Sequence, residues 1–341
     1  MKNCSMLEDI LRQPESLQRA WAYQMDAGAE AMLSAARTIR EARRVVLTGM
    51  GSSLFAAMAA ASYLERYGKA VECIETSELL HFRHASLNRD TAVVVISRSG
   101  ESVEALKLLP LLAASGARVV GVTNVETSRL AREAPITVMF ESGNDRMVSV
   151  QSYTSSVAVL LLLAARILEH GVEAWPTTDQ LSQQVALATQ AALDDAPAWV
   201  DFFSTGRGIY FLGRGAALAS AHESALLMHE AARTPAAALS SAQFRHGPVE
   251  GTSTDTRVVI FPSQGPAREL DLALAADLRV IGAEVRLSDG QSVGDPFAPV
   301  IEIVPVQAAA CALALHQGLD PGDFRYATLV TATETGFKRP R

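Results

Sequence analysis

Short apolar runs of strand length alternate along this chain with longer stretches whose apolar residues recur every three or four positions. That alternation predicts a βαβ chain of the α/β class. Val93-Val94-Val95-Ile96 is continuously apolar, as expected of a parallel strand covered on both faces. It stops at Ser97-Arg98-Ser99-Gly100-Glu101-Ser102. A helix is predicted behind it, with Val103, Leu106, Leu108, Leu109 and Leu112 set against Glu104 and Lys107. The same reading gives strands over residues 45–47, 70–74, 118–122 and 136–140. Residues 1–42 read as one or two leading helices, with Pro14 near a helix start. Residues 76–78 lead into a short helix carrying Leu79, Leu80 and Phe82, on which His81 and His84 form a half-exposed face. Residues 141–154 read as a polar loop, and the apolar run 157–165 behind it as a buried core helix, too short to span a bilayer.

The second half repeats this order. Laying Gly213-Arg214-Gly215 on Gly49-Met50-Gly51 sets an offset of 164. Val258-Val259-Ile260-Phe261 then lies over residues 93–96 at 165, and Gly282-Ala283-Glu284-Val285 over Gly116-Ala117-Arg118-Val119 at 166. Three landmarks in near-constant register predict two tandem doubly wound parallel-sheet domains related by duplication. The expected division is leading helices over 1–42, a first domain over 43–190 and a second over 191–341. Its junction falls at or shortly before the acidic, proline-bearing residues 194–197.

The repeat is chemically lopsided. The turn after a strand of this kind lies at the carboxyl edge of the sheet, where open α/β folds bind ligands. In the first half Gly100 lets the backbone approach closely, and the next helix presents unpaired N–H groups. Ser97, Ser99, Ser102 and Arg98 add donors there, a set suited to a compact dianion such as a phosphate monoester. A serine-rich turn that merely caps its own helix is the plain alternative. The second half has Pro262-Ser263-Gln264-Gly265-Pro266 instead. Two prolines remove backbone donors, so this copy is expected to keep the fold and lose the anion.

Composition narrows the function classes. A net charge of -7 over 341 residues argues against general affinity for nucleic acid or an anionic membrane. A phosphorylated ligand must therefore be met by local donors. Cys4, Cys73 and Cys311 are widely separated and form no CxxC, so neither a disulfide framework nor a cysteine metal site is expected, and a reducing cytoplasm fits. The N-terminal residues carry acids early and lack the apolar core of a signal peptide. His222 and His229 stand two helical turns apart beside Glu223 and Glu230, without a third metal ligand at matching spacing. Gly49-Met50-Gly51 with Glu72 or Glu75 is an incomplete dinucleotide fingerprint, because Leu54 stands at its third glycine.

Several motifs occur in a definite order. Gly51-Ser52-Ser53 follows the first strand and Ser97–Ser102 the third. Val148-Ser149-Val150-Gln151-Ser152-Tyr153-Thr154 precedes the buried helix. Gly213-Arg214-Gly215, Glu223, Leu226, Glu230 and Phe244-Arg245-His246-Gly247-Pro248 follow, and Asp320-Pro321 and Arg325 close the series. Over about residues 40–335 the chain resembles the tandem sugar isomerase (SIS) domain family, whose fold is flavodoxin-like.

The resemblance implies that Ser52, Ser97, Ser99 and Ser102, with Arg98, hold a sugar phosphate, while Gly51, Ser53 and Ser149 meet the sugar. It implies Glu230 as catalytic base and His246 as the group assisting ring opening, reaching the site from the neighbouring subunit of a homodimer. It brings no cofactor and no metal. Two positions depart from glucosamine-6-phosphate synthase, the family's best-known member: Leu227 and Leu329 stand where the synthase has lysines, and no glutaminase domain is expected. The expectation is a deaminase, deglycase or aldose–ketose isomerase of an amino-hexose or hexose 6-phosphate. Its base moves a proton between C1 and C2, and Leu226 and Leu227 lend Glu230 a partly apolar setting. A non-catalytic phosphosugar sensor is the alternative.

Overall fold

A computed structural model describes residues 4–171, 175–290 and 292–337. The first three residues of the leading segment and the last four of the tail lie outside the described residues. The chain divides into two compact units: Glu15–Asn144, Gln151–Trp175 and Arg325–Arg341 form one, and Met1–Pro14, Asp145–Val150 and Pro176–Phe324 the other.

The first-sheet unit opens with helices α1 (Ser5–Met25, whose first ten residues belong to the other unit) and α2 (Ala29–Arg40). It then alternates β1 (Arg44–Gly49), α3 (Ser52–Arg66), β2 (Glu72–Glu75), a helical turn α4 (Thr76–Glu78), β3 (Thr91–Ile96), α5 (Val103–Ser115), β4 (Arg118–Thr123), α6 (Arg129–Glu133), β5 (Ile136–Met139) and α7 (Gln151–Leu168). The sheet is wholly parallel, in the order β2-β1-β3-β4-β5. That is the flavodoxin-like order. Every residue of β3 is buried, which is why its sequence shows no alternation. One face of the sheet packs Val93, Val95 and Val46 against Leu108, Leu109 and Leu112 of α5.

The second-sheet unit carries α8 (Thr178–Ser204), β6 (Gly208–Gly213), α9 (Ala217–Glu230), β7 (Ala237–Ser240), α10 (Ser241–Phe244), β8 (Thr256–Ile260), α11 (Arg268–Val280), β9 (Glu284–Leu287), α12 (Ala298–Glu302) and α13 (Val304–His316). Its order, β7-β6-β8-β9, is again parallel and repeats that of β2-β1-β3-β4. Strand starts at Arg44, Glu72, Thr91 and Arg118 recur at Gly208, Ala237, Thr256 and Glu284, offsets of 164, 165, 165 and 166. Leu212, Val258 and Ile260 pack on Leu274, Ala275 and Leu278 of α11.

Several expectations need correction. The boundary at 190/191 falls inside α8, which runs unbroken through residues 194–197 with Pro197 in its interior; the chain divides instead at Pro176. Pro14 likewise lies within α1 and does not start a helix. Residues 15–42 belong with the first sheet, whereas Asp145–Val150 belongs with the second. The polar stretch 141–154 is not all loop, because α7 already begins at Gln151, and Gln151, Ser152, Tyr153 and Thr154 are buried. Phe82, expected on the apolar face of its helix, is 76% exposed. Among the described residues two helical stretches, Gln151–Leu168 and Ala298–His316, are long and apolar enough to cross a membrane, but 89% of the apolar window in each is buried inside the protein. They read as core helices.

Candidate active site

In the order 2-1-3-4-5 the chain turns outward in opposite directions from the β1/β3 pair, and the crevice at their carboxyl ends is where ligands bind in such sheets. The register Leu47↔Val94 and Thr48↔Val95 brings Gly49 and Ile96 level, so the two following turns lie side by side. Each opens a helix of more than three turns. Gly51 precedes α3 at φ 51°, ψ −130°, a conformation closed to side chains, and Ser52 and Ser53 form the first turn. Ser102 precedes α5 in extended conformation, and its side chain makes no cap. Two helix N-termini, each carrying a partial positive charge, therefore meet at one switch point.

The Ser97–Ser102 loop is held by its own backbone and by β4. Ser97 N–H donates to Val122 O and Asn124 N–H to Arg98 O, both at 3.0 Å. Gly100 sits at φ 64°, where a Cβ atom would come within 2.1 Å of Ser128 Oγ, so no other residue fits. Glu101 reaches the next helix, accepting from Arg129 N–H at 2.7 Å, and thus points away from the crevice donors. The hydroxyls are used as acceptors inside the loop. Gly100 N–H donates to Ser97 Oγ (3.1 Å) and Glu101 N–H to Ser99 Oγ (3.2 Å). Ser97 Oγ also lies 3.1 Å from Ser102 Oγ. A hydroxyl that accepts from an N–H keeps its proton to donate. One hydroxyl proton is used between Ser97 and Ser102; Ser99 and the other hydroxyl of that pair remain as preoriented O–H donors beside a helix N-terminus, chemistry that suits an oxyanion. The plain capping alternative fails at Ser102, which occupies the cap position without capping.

The tail of the chain crosses this loop. Val103 N–H, the first of α5, donates to Thr331 O at 3.0 Å, and Arg98 Nη2 approaches Leu329 O at 3.5 Å. Glu334 then bridges His81 Nε2 (2.6 Å) and Lys107 Nζ. The hydrogen bonds to Lys107 and His81 hold its carboxyl below the usual range. This strap joins residues more than 200 positions apart and has no local signature in the chain.

Of the residues expected in the site, Gly51, Ser52, Ser53, Ser97, Arg98, Ser99 and Ser102 lie together in the first-sheet unit. Ser149, Glu230 and His246 belong to the other unit. Glu230 is the last residue of α9, half-buried, one turn beyond Leu227, which is fully buried. Arg233, three residues on, is engaged with Asp323. His246 is exposed in the turn after α10. His229 accepts from Ala236 N–H at 3.0 Å and fastens the turn after α9, while burial keeps the His222 imidazole below its ordinary pKa. Glu72 is held by Arg44 and Arg83.

The matching crevice of the second sheet is filled from within. Asp271, fully buried on α11, accepts from Ser263 N–H (3.0 Å) and Ser263 Oγ–H (2.8 Å), and Arg214 Nε donates to its other oxygen at 2.8 Å. A carboxylate of the chain itself occupies the place an anion takes in such folds. Sequence reasoning found the prolines here but missed Asp271, whose role depends on a partner 57 residues away.

The SIS domain pattern matches residues 38–166. Proteins named glutamine--fructose-6-phosphate aminotransferase [isomerizing] from Thermococcus kodakarensis and Pyrobaculum aerophilum are 26% and 28% identical to it over 93% of this chain. The chain spans only 56% and 55% of their lengths. Among solved structures, glucosamine-6-phosphate deaminase from Thermotoga maritima superposes with a TM-score of 0.81 at 22% identity, covering 96% of this chain and 99% of that one. Tagatose-6-phosphate ketose/aldose isomerase from Escherichia coli gives 0.79 at 23% identity, covering 94% and 95%. These two likenesses show the fold.

Proposed function

From the premise that residues 38–166 are a SIS domain and the chain is homologous to the isomerase half of the aminotransferases, we propose that this protein is a phosphosugar enzyme. Its substrate is a hexose 6-phosphate or amino-hexose 6-phosphate, and its reaction moves a proton between C1 and C2. The observation that carries this is the Ser97–Ser102 loop, with its O–H donors gathered at the first-sheet switch point beside two helix N-termini. Ser52 and Arg98 complete the phosphate contacts, and Gly51, Ser53 and Ser149 meet the sugar. The two halves arose by duplication, and the protein works as a cytoplasmic homodimer.

Glu230 acts as the base. It removes the proton from C2 of the open-chain aldose and returns it to C1, through an enediol for a plain sugar or an enolamine for an amino sugar. His246, supplied by the partner subunit, moves the proton that opens the ring. Leu227 and Leu329 replace the lysines of the synthase, so no imine to the protein forms. A substrate that already carries nitrogen needs none. Proton transfer from C2 to C1 of a 2-amino aldose gives the ketose imine, and the reverse transfer in a 1-amino ketose gives the aldose imine. Water hydrolyses either to release ammonia or the amine. Deamination or deglycation is therefore the preferred reaction, with simple isomerisation second.

Incubation with a panel of amino-sugar and sugar 6-phosphates, assayed for released amine and for ketose, tests the proposal. Turnover of at least one substrate, abolished in Glu230→Gln, is expected. Tight binding without turnover of any, with Glu230→Gln equal to wild type, makes the protein a phosphosugar sensor and ends the enzyme reading.

A further inference from the structure

Cys4 and Cys311 stand 307 positions apart, yet their sulfur atoms lie 3.4 Å from each other in the second-sheet unit. Both are free thiols. Cys4 heads α1, its carbonyl accepting from Glu8 N–H at 3.1 Å, and is half-buried. Cys311 lies at 0% exposure in the middle of α13, which packs along α8. A disulfide needs a sulfur–sulfur distance of about 2.05 Å. Closing the remaining gap asks for a shift of little more than an ångström, and Cys4 stands at the start of its helix, where the chain yields most easily.

We propose that Cys4 and Cys311 form a reversible modification site, an intramolecular disulfide made by hydrogen peroxide, that staples the start of α1 to α13. The order of events follows from access. Burial beside Cys4 pushes the Cys311 thiol above its ordinary pKa, so it is a poor first nucleophile. Cys4 meets peroxide first: its thiolate attacks one oxygen, the O–O bond breaks, and hydroxide leaves, giving Cys4 sulfenic acid. The Cys311 sulfur then attacks the Cys4 sulfur. The S–O bond breaks, and the thiol proton leaves with the oxygen as water. Two thiols are oxidised, one peroxide is reduced, and two waters result. A dithiol reductant reverses the bond by exchange. Cys73 provides an internal control: it sits on β2 with its thiol pushed up to about 12 by burial and by Glu65. The staple encloses the whole second sheet, so the oxidised chain has fewer unfolded conformations to gain and resists unfolding.

The test uses the full chain, reduced, freed of reductant, treated with hydrogen peroxide, alkylated and digested without reduction. Peptide mapping is expected to find Cys4 joined to Cys311 within one chain. Accessible plus buried thiols should fall from three to one, the intact mass should drop by two hydrogens, and the melting temperature should rise. Dithiothreitol should reverse all three changes, and Cys4→Ser should show none of them. Cys311→Ser, in which peroxide should stop at the sulfenic acid of Cys4, guards against a folding defect in either variant. Cys4 found only as sulfinic or sulfonic acid, Cys4 joined to a second chain, or Cys73 consumed before Cys4 would each overturn the proposal.

Discussion

The two sheets share one strand order and near-constant offsets, yet their crevices are opposites. At the first, Ser97 and Ser99 accept from their own loop, and apart from the one proton shared between Ser97 and Ser102 the hydroxyl protons are left to donate outward. At the second, prolines flank the loop and Asp271 takes the donors that remain. The same strand order thus carries outward-facing hydroxyl donors in one sheet and a sealed, self-neutralised ion pair in the other. What separates them is a handful of side chains. A polar cluster at a switch point is therefore a site only when its donors are left unspent.

The comparison predicts that equivalent substitutions fail in different ways. Asp271→Asn leaves Arg214 facing no negative charge in a largely buried place and removes an acceptor for Ser263, at a cost of about 3–5 kcal/mol. Chemical denaturation should show that loss, and added phosphate should recover part of it by occupying the joint. Failure of phosphate to stabilise the variant more than wild type would break the equivalence drawn between the two crevices.

Next comes Glu302, in the same unit, whose pKa burial raises to about 8. One oxygen accepts from Ser220 at 2.7 Å, and the other is buried without a partner among the described residues. The folded state keeps the proton that the unfolded state releases near its ordinary pKa of 4.5. Stability from this group is thus full below about pH 4.5 and falls as pH rises towards about 8, by on the order of a few kcal/mol. Glu302→Gln should flatten that slope, measured as unfolding free energy against pH. An unchanged slope would remove Glu302 as its source.

In the first sheet the effects move from stability to binding. Ser99→Ala should leave the melting temperature near wild type but weaken hexose 6-phosphate binding by roughly 10- to 100-fold, the worth of one hydrogen bond to a charged group. Calorimetric titration checks it, and equal affinities would make Ser99 a bystander. Smallest is Glu334→Gln, which unfastens the strap from His81 and Lys107. No change in melting is expected, only faster hydrogen exchange at the Val103 amide, whose acceptor is Thr331 O.

Much of this was legible in the chain. Val93–Ile96 and the Ser97–Ser102 turn announced themselves because a strand buried on both faces is uniformly apolar and stops abruptly. The repeated strand order was readable from the spacing of glycines and of one apolar run. What escaped notice depends on partners distant in sequence or on tertiary override of local preference. β7 (Ala237–Ser240) is short, alanine-rich and only partly buried, so it has no strand signature. Gln151–Thr154 looked like loop because polar residues are rarely buried in a helix's first turn. Pro197 looked like a boundary, but α8 runs through it. Asp271, the Thr331–Glu334 strap and the Cys4–Cys311 pair carry no local signal at all.

The most direct test of the central claim is a crystal of this protein soaked with a hexose 6-phosphate. The account predicts phosphate density within hydrogen-bond reach of the Ser97, Ser99 and Ser102 hydroxyls, with Arg214 still bound to Asp271. Phosphate seated at Arg214 and Ser263 instead, or a first-sheet crevice left empty at saturating ligand, would contradict it.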